Sequence, residues 1–242
     1  MNALVLAGGF AQRMGDLARD VPKALLPLKG KPILEHVLRK IEPLEEVKNI
    51  YLSINARFES QFTDFLQHRP SPKFIKLVVE PSLEEGEKLG SVGGIKYFME
   101  SEQALDPLLV IAGDNALDTG LFGLLLLYKR VKSPVVGLYD VKSLELAKTY
   151  GVVTLDDRKR IVAFEEKPPE PTSTLASTGI YIFTVPALER VEDYLDKNGG
   201  DRMGDFIRWL AKQEAVYGFV FGGKWFDIGS PQEYTRAERE LD

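Results

Sequence analysis

Two cations and two aspartates, spread over more than two hundred residues, suit phosphate chemistry by type and by setting. Arg13 and Lys23 follow the string Leu6-Ala7-Gly8-Gly9 and stand ten residues apart. Glycines at the end of a first strand let backbone N–H groups approach a phosphate closely, and nearby cations neutralise it. Asp114 stands in Ala112-Gly113-Asp114-Asn115, directly after an apolar run, and Asp227 stands in Trp225-Phe226-Asp227-Ile228-Gly229-Ser230. Carboxylates at strand ends are the usual oxygen ligands of a hard cation that accompanies phosphates. Each feature taken singly has a plainer reading as a turn, a helix cap or a charged hairpin end. The better-known phosphate signatures GxxxxGK[ST] and GxGxxG are absent, so this loop does not support a P-loop kinase or a dinucleotide-dependent oxidoreductase.

These residues need elements to hold them. Ala3 to Ala7 is too short for a helix of ordinary length, and a buried strand ending in the Gly8-Gly9 turn is the simplest reading. An amphipathic helix is expected at 32–42, strands at 48–54 and 74–79, and a helix at 59–67. The segment 82–94 is polar and glycine-rich and leads into helical residues 95–99. A wholly apolar run at 108–112 reads as a central strand, followed by a helix at 120–130 and a strand at 134–139. This alternation predicts βαβ units and a mostly parallel sheet. The second half changes character. A hairpin is expected at 150–155 and 161–166, a Pro/Thr-rich loop at 168–174, a strand at 177–184, helices near 186–195 and 205–213, a strand at 215–221 and a last helix at 231–241. With no repeat or linker between them, the halves are expected to form one domain over residues 1–242, the first (about 1–135) binding nucleotide and the second (about 136–242) binding the other substrate.

The strings in sequence order resemble the sugar-1-phosphate nucleotidyltransferase (nucleotide-sugar pyrophosphorylase) family. Leu6-Ala7-Gly8-Gly9, Arg13 and the segments Pro22-Lys23-Ala24-Leu25-Leu26-Pro27 and Gly30-Lys31-Pro32 match its LAGGxGxR[LM] and PKxLLPxxGKP signatures at the same spacing. Related cytidylyl- and molybdopterin-type guanylyltransferases use a much shorter gap between Arg and Lys. Ala11 and Gln12 depart from the signature, which has glycine and Ser/Thr there. Further along, Gly113-Asp114-Asn115, Tyr150-Gly151-Val152, Glu165-Glu166-Lys167-Pro168, Thr178-Gly179-Ile180-Tyr181 and Trp225 to Tyr234 all match family segments.

The resemblance implies an α/β fold of three layers, Rossmann-like and GT-A-like, with a mixed, mostly parallel sheet flanked by helices. It implies transfer of a nucleotidyl group from a nucleoside triphosphate to a sugar 1-phosphate, releasing pyrophosphate. Leu6, Ala7, Gly8, Gly9, Arg13, Lys23, Gly90, Gly93 and Asp114 would bind nucleotide. Gly90 and Gly93 belong to the segment Leu89 to Gly94, which reads equally as a glycine-loosened helix start. Arg13 would bridge the β- and γ-phosphates, Lys23 would sit at the α-phosphate, and Arg13, Lys23 and Asp114 would be catalytic. Asn115, Gly151, Glu166, Lys167, Thr178 and Gly179 would bind the sugar phosphate, and Asp114 with Asp227 would hold Mg²⁺. Glucose 1-phosphate with dTTP or UTP is the first expectation, and mannose 1-phosphate with GTP the second.

Composition narrows the field. A net charge of −5 argues against nucleic acid as a partner, which would call for a basic face. Cysteine is absent, which excludes disulfides, thiolate catalysis and cysteine-bound zinc. The two histidines, His36 and His68, are too few for a histidine triad or metal site, and His36 is expected at the solvated face of its helix. No apolar run reaches membrane-spanning length and no leader precedes the first strand, so a cytoplasmic enzyme without a membrane partner, compatible with a homo-oligomer, is expected. The expectation extends to the absence of an appended β-helix or regulatory domain. A catalytically silent nucleotide-binding module on the same fold is the rival of another class, favoured only by Ala11-Gln12. A GT-A glycosyltransferase would want a DxD motif where Gly113-Asp114-Asn115-Ala116 stands.

Overall fold

The computed structural model describes residues 1–10, 14, 21–198 and 202–241. Strand β1 (Asn2–Leu6) alternates its burial between two sides: Ala3 and Val5 enter one hydrophobic cluster and Leu4 the other. That period of two, with both faces apolar, is what a strand covered by helices on both sides requires. A short hairpin, β2 (Pro27–Leu28) and β3 (Lys31–Pro32), follows and turns at Lys29 and Gly30, both at positive φ. Helix α1 (Ile33–Ile41) buries Ile33, Leu34, Val37, Leu38 and Ile41 along one stripe. Burying each such side chain stabilises by about 1.5–3 kcal/mol. His36 is not on a solvated face as expected. It is half-buried, and its Nε2 lies 2.9 Å from the Leu28 carbonyl, to which that nitrogen donates when protonated, tying α1 to the hairpin.

Strand β4 (Asn49–Asn55), helix α2 (Glu59–Gln67) and strand β5 (Phe74–Glu80) come next. Helix α3 (Gly90–Glu102) begins inside the glycine-rich segment, earlier than the periodicity from Ile95 alone suggests, and buries Val92, Ile95 and Phe98. Strands β6 (Leu108–Ala112) and β7 (Asn115–Leu117), helix α4 (Phe122–Val131), strand β8 (Val135–Asp140) and the one-turn α5 (Leu144–Ala147) complete this half. The remainder holds β9 (Gly151–Leu155), β10 (Ile161–Glu166), β11 (Leu175–Phe183), α6 (Val185–Asn198), α7 (Met203–Leu210), β12 (Tyr217–Phe221), β13 (Trp225–Asp227) and α8 (Pro231–Glu240).

Nine strands form one mixed sheet in the order β10-β9-β11-β6-β1-β4-β5, with β8 beside β11 and β12 beside β8. The pairings among β6, β1, β4 and β5 are parallel, as is β12 with β8, whereas β11 runs antiparallel to β6 and β8. Helices α1, α2 and α4 cover one face, and α3, α6 and α7 cover the other. This is the expected three-layer α/β arrangement. A separate two-stranded sheet, β13 with β7, crosses the carboxyl end of β6. A third apolar cluster of Met14, Leu26, Leu28, Ile33, Ala116, Phe226, Ile228 and Ala237 packs beneath it and seats α8, which Ser230 caps through the Glu233 N–H at 3.2 Å. Among the described residues no helix is long and apolar enough to cross a membrane.

Candidate active site

Parallel strands β1 and β6 end side by side, with Leu6 opposite Ala112, and the Gly113 N–H donates to the Leu6 carbonyl at 2.8 Å. Asp114 therefore emerges at the carboxyl edge of the sheet, between neighbouring strands whose connections run opposite ways. Such a switch point is where open α/β sheets bind ligands. The β7–β13 pairing sets Asp227 opposite Asn115, and the Ile228 N–H donates to the Asp114 carbonyl at 3.1 Å. Two aspartates more than a hundred residues apart thus share one corner. Lys23, on a 3-10 turn at Lys23–Leu25, donates through Nζ to Asp114 Oδ2.

The corner is electrostatically demanding. Burial, and then the negative charge of Asp114, push the Asp227 carboxyl up to about 7, while Lys23 and Lys167 pull it down. A buried acid beside a second acid is a site that a cation would relieve. The donors are carboxylate oxygens, which suit Mg²⁺, and a Mg²⁺ site takes one or two carboxylates with phosphate and water completing the shell. Among the described residues no group of three or more His, Cys, Asp or Glu is placed to hold a metal. A cation here would therefore draw two ligands from the protein, Asp114 and Asp227, and the rest from substrate and water. On donor chemistry the residues fit the ion.

From this corner a cleft of about 580 Å³ opens toward the second half of the chain. Asp114, Asn115, Gly151, Glu166, Lys167, Thr178, Gly179 and Asp227, all singled out from the sequence, line it together. Besides Asp114, which Lys23 holds, Asn115 and Thr178 have their side chains engaged within the protein. The Asn115 Nδ2 donates to the Ala112 carbonyl at 3.2 Å while its Oδ1 accepts from Trp225 Nε1 at 2.6 Å, and the Thr178 hydroxyl donates to the Gly137 carbonyl at 2.9 Å. Lys167 is held at φ 46°, a conformation unusual for a side-chain-bearing residue, with its N–H donating to the Tyr150 carbonyl at 3.0 Å. The Tyr150 and Trp225 rings pack at a 57° tilt along the wall, and burial, followed by the charges of Glu233 and Asp227, pushes the Tyr150 phenol up to about 12.

On the other side of β1 stand the expected nucleotide-binding segments. Ala7 donates its N–H to the Ser53 carbonyl, and the Gly8 carbonyl accepts from Asn55 Nδ2 at 3.2 Å. Glu80, 6% exposed at the end of β5, accepts from the Ser53 hydroxyl and the Leu89 N–H, and burial raises its carboxyl above the ordinary range. A Cβ on Gly94 would lie 3.0 Å from Glu80 Oε1, so the first turn of α3, with Gly90 and Gly93, closes directly over this carboxylate. From that turn Ser91 reaches the cleft. Leu6 and Gly9 are described, whereas Arg13, Ala11 and Gln12 lie outside the described residues. Sequence reasoning missed Arg202, an exposed cation at the start of α7 that lines the cleft with Lys167. It stands in an unpatterned Gly-Gly-Asp-Arg stretch that signals only a loop. Glu80 was also passed over, because a lone glutamate at a strand end carries no signal of its own, and Glu233, although inside the Trp225 to Tyr234 string, was given no role.

Residues 2–242 match the family model described as nucleotidyl transferase. The bifunctional protein GlmU of Methanocaldococcus jannaschii is 34% identical over 242 residues, which is all of this chain and 54% of that protein. A Sulfolobus acidocaldarius protein, provisionally described as a mannose-1-phosphate guanyltransferase, is 31% identical over 242 residues, again all of this chain and 63% of that one. The chain thus spans between half and two thirds of the length of these curated relatives. Among solved structures, a UDP-glucose pyrophosphorylase complexed with UDP-glucose superposes with a TM-score of 0.82 at 22% identity, covering 98% of this chain and 97% of that one.

Proposed function

The chain belongs to the nucleotidyl transferase family, and we propose that it joins a nucleoside triphosphate to a sugar 1-phosphate, giving a nucleoside diphosphate sugar and pyrophosphate. The observation that carries this reading is the corner where Lys23 meets Asp114 and Asp227 stands opposite Asn115, at the mouth of a cleft lined by Lys167 and Arg202. One substrate brings a triphosphate to the corner, and the other brings a phosphate monoester to the two cations.

Little covalent assistance is required. A phosphate monoester has a second pKa of about 6 and arrives largely ionised, so its own oxygen attacks the α-phosphorus without a general base. That oxygen forms the new P–O bond as the bond to the β-phosphate oxygen breaks, and pyrophosphate leaves with the electron pair. The protein positions the two phosphates in line and neutralises charge. Lys23 supplies a point charge beside the α-phosphate. Arg13 suits the β- and γ-phosphates because its planar fork binds them bidentately. Lys167 and Arg202 hold the sugar phosphate, and Glu166 accepts hydrogen bonds from ring hydroxyls. A Mg²⁺ held by Asp114 and Asp227 would supply charge neutralisation on the phosphates.

Glucose 1-phosphate with dTTP or UTP is the first assignment, in line with the UDP-glucose complex among the structural neighbours. Mannose 1-phosphate with GTP is the second, in line with the Sulfolobus relative. The test is pyrophosphate release from dTTP, UTP, GTP, CTP and ATP, each against a set of hexose 1-phosphates, with Mg²⁺ and with chelator. Release in one nucleotide row that chelator abolishes is expected. A blank grid from a protein that still binds nucleotide would shift the reading to a silent module. A blank grid with no nucleotide binding would overturn it.

A further inference from the structure

The two-stranded sheet that aligns Asp114 with Asp227 is only three residues long on each side. A pair of strands so short is marginal by itself. Slipping it by one residue would turn Asp227 to the opposite face. Something must fix its register, and one side-chain contact is placed to do so. Asn115 pairs with Asp227 and Leu117 pairs with Trp225, so Asn115 and Trp225 are diagonal neighbours on one face of the ribbon, the face that carries Asp227. They are 2% and 3% exposed. Trp225 Nε1 donates to Asn115 Oδ1 at 2.6 Å, and Asn115 spends its Nδ2 on the Ala112 carbonyl at 3.2 Å, at the end of β6. The contact runs from the main sheet, through the residue after Asp114, to the residue two before Asp227. The indole then packs on Tyr150, ring centres 5.2 Å apart, and the Tyr150 carbonyl receives the N–H that holds Lys167 in its positive-φ conformation.

We infer that Asn115 and Trp225 are positioning residues: their buried hydrogen bond sets the register of the β7–β13 ribbon, hence the spacing of Asp114 and Asp227, and through Tyr150 it seats Lys167. The inference rests on the proposed transfer reaction for its kinetic consequence and on the ribbon geometry alone for its structural one. Breaking a buried pair of this kind leaves an unsatisfied polar group, whose cost is enough to let a short ribbon shift.

The experiment uses Trp225→Phe, which keeps an aromatic ring but removes the N–H together with the rest of the pyrrole ring, and Asn115→Ala, which removes the acceptor and leaves the indole in place. Three readouts are taken. In steady-state kinetics, kcat is expected to fall roughly 10- to 100-fold in both variants, with the nucleotide KM unchanged within about twofold, because a displaced carboxylate harms the transition state more than ground-state binding. The double variant is expected to lose no more than the worse single variant, because both break the same contact. Third, the chain has two tryptophans, and Trp225→Phe assigns their two indole N–H signals. Titrating Mn²⁺ into wild type is expected to broaden the Trp225 signal before the Trp209 signal, and Asn115→Ala is expected to shift that broadening to higher Mn²⁺. This readout needs no turnover, so it tests the ribbon even where the substrate assignment fails. Variants that lower thermal stability while leaving kcat and the Mn²⁺ titration at wild-type values would overturn the inference, as would independent, multiplying losses in the double variant.

Discussion

Replacing Gly204 by alanine sets two physical effects against each other, and the structure says which prevails. Gly204 lies in the first turn of α7, and alanine in place of glycine in a helix ordinarily stabilises by up to about 1 kcal/mol. Here the new Cβ would stand 2.5 Å from Phe164 Cε1, 3.0 Å from Cζ and 3.1 Å from Glu166 Oε2. Carbon atoms pack at about 3.5–4.0 Å, so roughly 1 Å must be found. The ring cannot yield readily. It is buried, and the same Cε1–Cζ edge abuts Gly151, where a Cβ would lie 2.8 Å from Cζ. Phe164 must then leave its rotamer, and overpacking of this kind costs about 1–3 kcal/mol. Subtracting the helix gain leaves a net loss of up to about 2 kcal/mol, or a fall in Tm of up to roughly 8 °C for a chain of this size. The ring and Glu166 both line the cleft, so the displacement is expected to raise KM for the sugar phosphate about tenfold, the worth of one hydrogen bond, with the nucleotide KM unmoved. Differential scanning calorimetry and substrate-resolved kinetics measure both. Gly222→Ala is the control, since nothing lies within 4 Å of its Cβ position. A Gly204→Ala protein at or above wild-type Tm with an unchanged sugar-phosphate KM would refute the packing argument.

Lys23→Ala is expected to lower kcat by at least ~100-fold while changing nucleotide KM by less than about threefold, since a charge acting on the transition state is lost. Equal losses in both parameters would remove Lys23 from that role. Arg202→Ala should raise KM for the sugar phosphate by about 10- to 100-fold with Tm unchanged, because the side chain is exposed and the lost interaction is charge-assisted. Unaltered sugar-phosphate kinetics would assign Arg202 to the surface alone. Glu80 carries a pH signature. Burial holds its folded-state carboxyl above the ordinary 4.5, so the unfolded chain releases this proton first as pH rises, and stability is lost from 4.5 upward through the folded-state value. Glu80→Gln removes that loss, and its stability relative to wild type should climb across the same window in denaturant titrations. A difference that stays flat with pH would contradict the sign.

The main sheet was legible because its strands are apolar runs with a period of two, and α1 because its stripe is unbroken over nine residues. The ribbon of β7 and β13 was not. Its strands are three residues each, and their partners are set by a pairing across more than a hundred residues, which no local pattern encodes. The start of α3 was unreadable for another reason. Glycine has poor helix propensity, and past Gly90, which stands at φ 71°, Gly93 and Gly94 are helical here because Glu80 accepts the Leu89 N–H and Val92 is buried, both tertiary facts. His36 was misplaced because periodicity gives the side of a helix but not what packs over it, here the hairpin that carries Leu28. Within the site, residues in strings such as Glu166-Lys167 and Asp114-Asn115 could be found, while Arg202 and Glu80 reach it from segments whose composition says only loop or strand end.

The ribbon also imposes an order of assembly in time. Asn115 and Trp225 are 110 residues apart, and at about 5–20 residues per second synthesis of that span takes roughly 5–20 s. Lys23 and Asp114, by contrast, can meet as soon as β6 has joined β1. A growing chain can therefore form the parallel core and its Lys23–Asp114 ion pair well before Asp227 exists, and through that interval the lysine occupies the aspartate that the completed corner will share. Competence for chemistry would arrive in a single late step, when β13 lies down along β7.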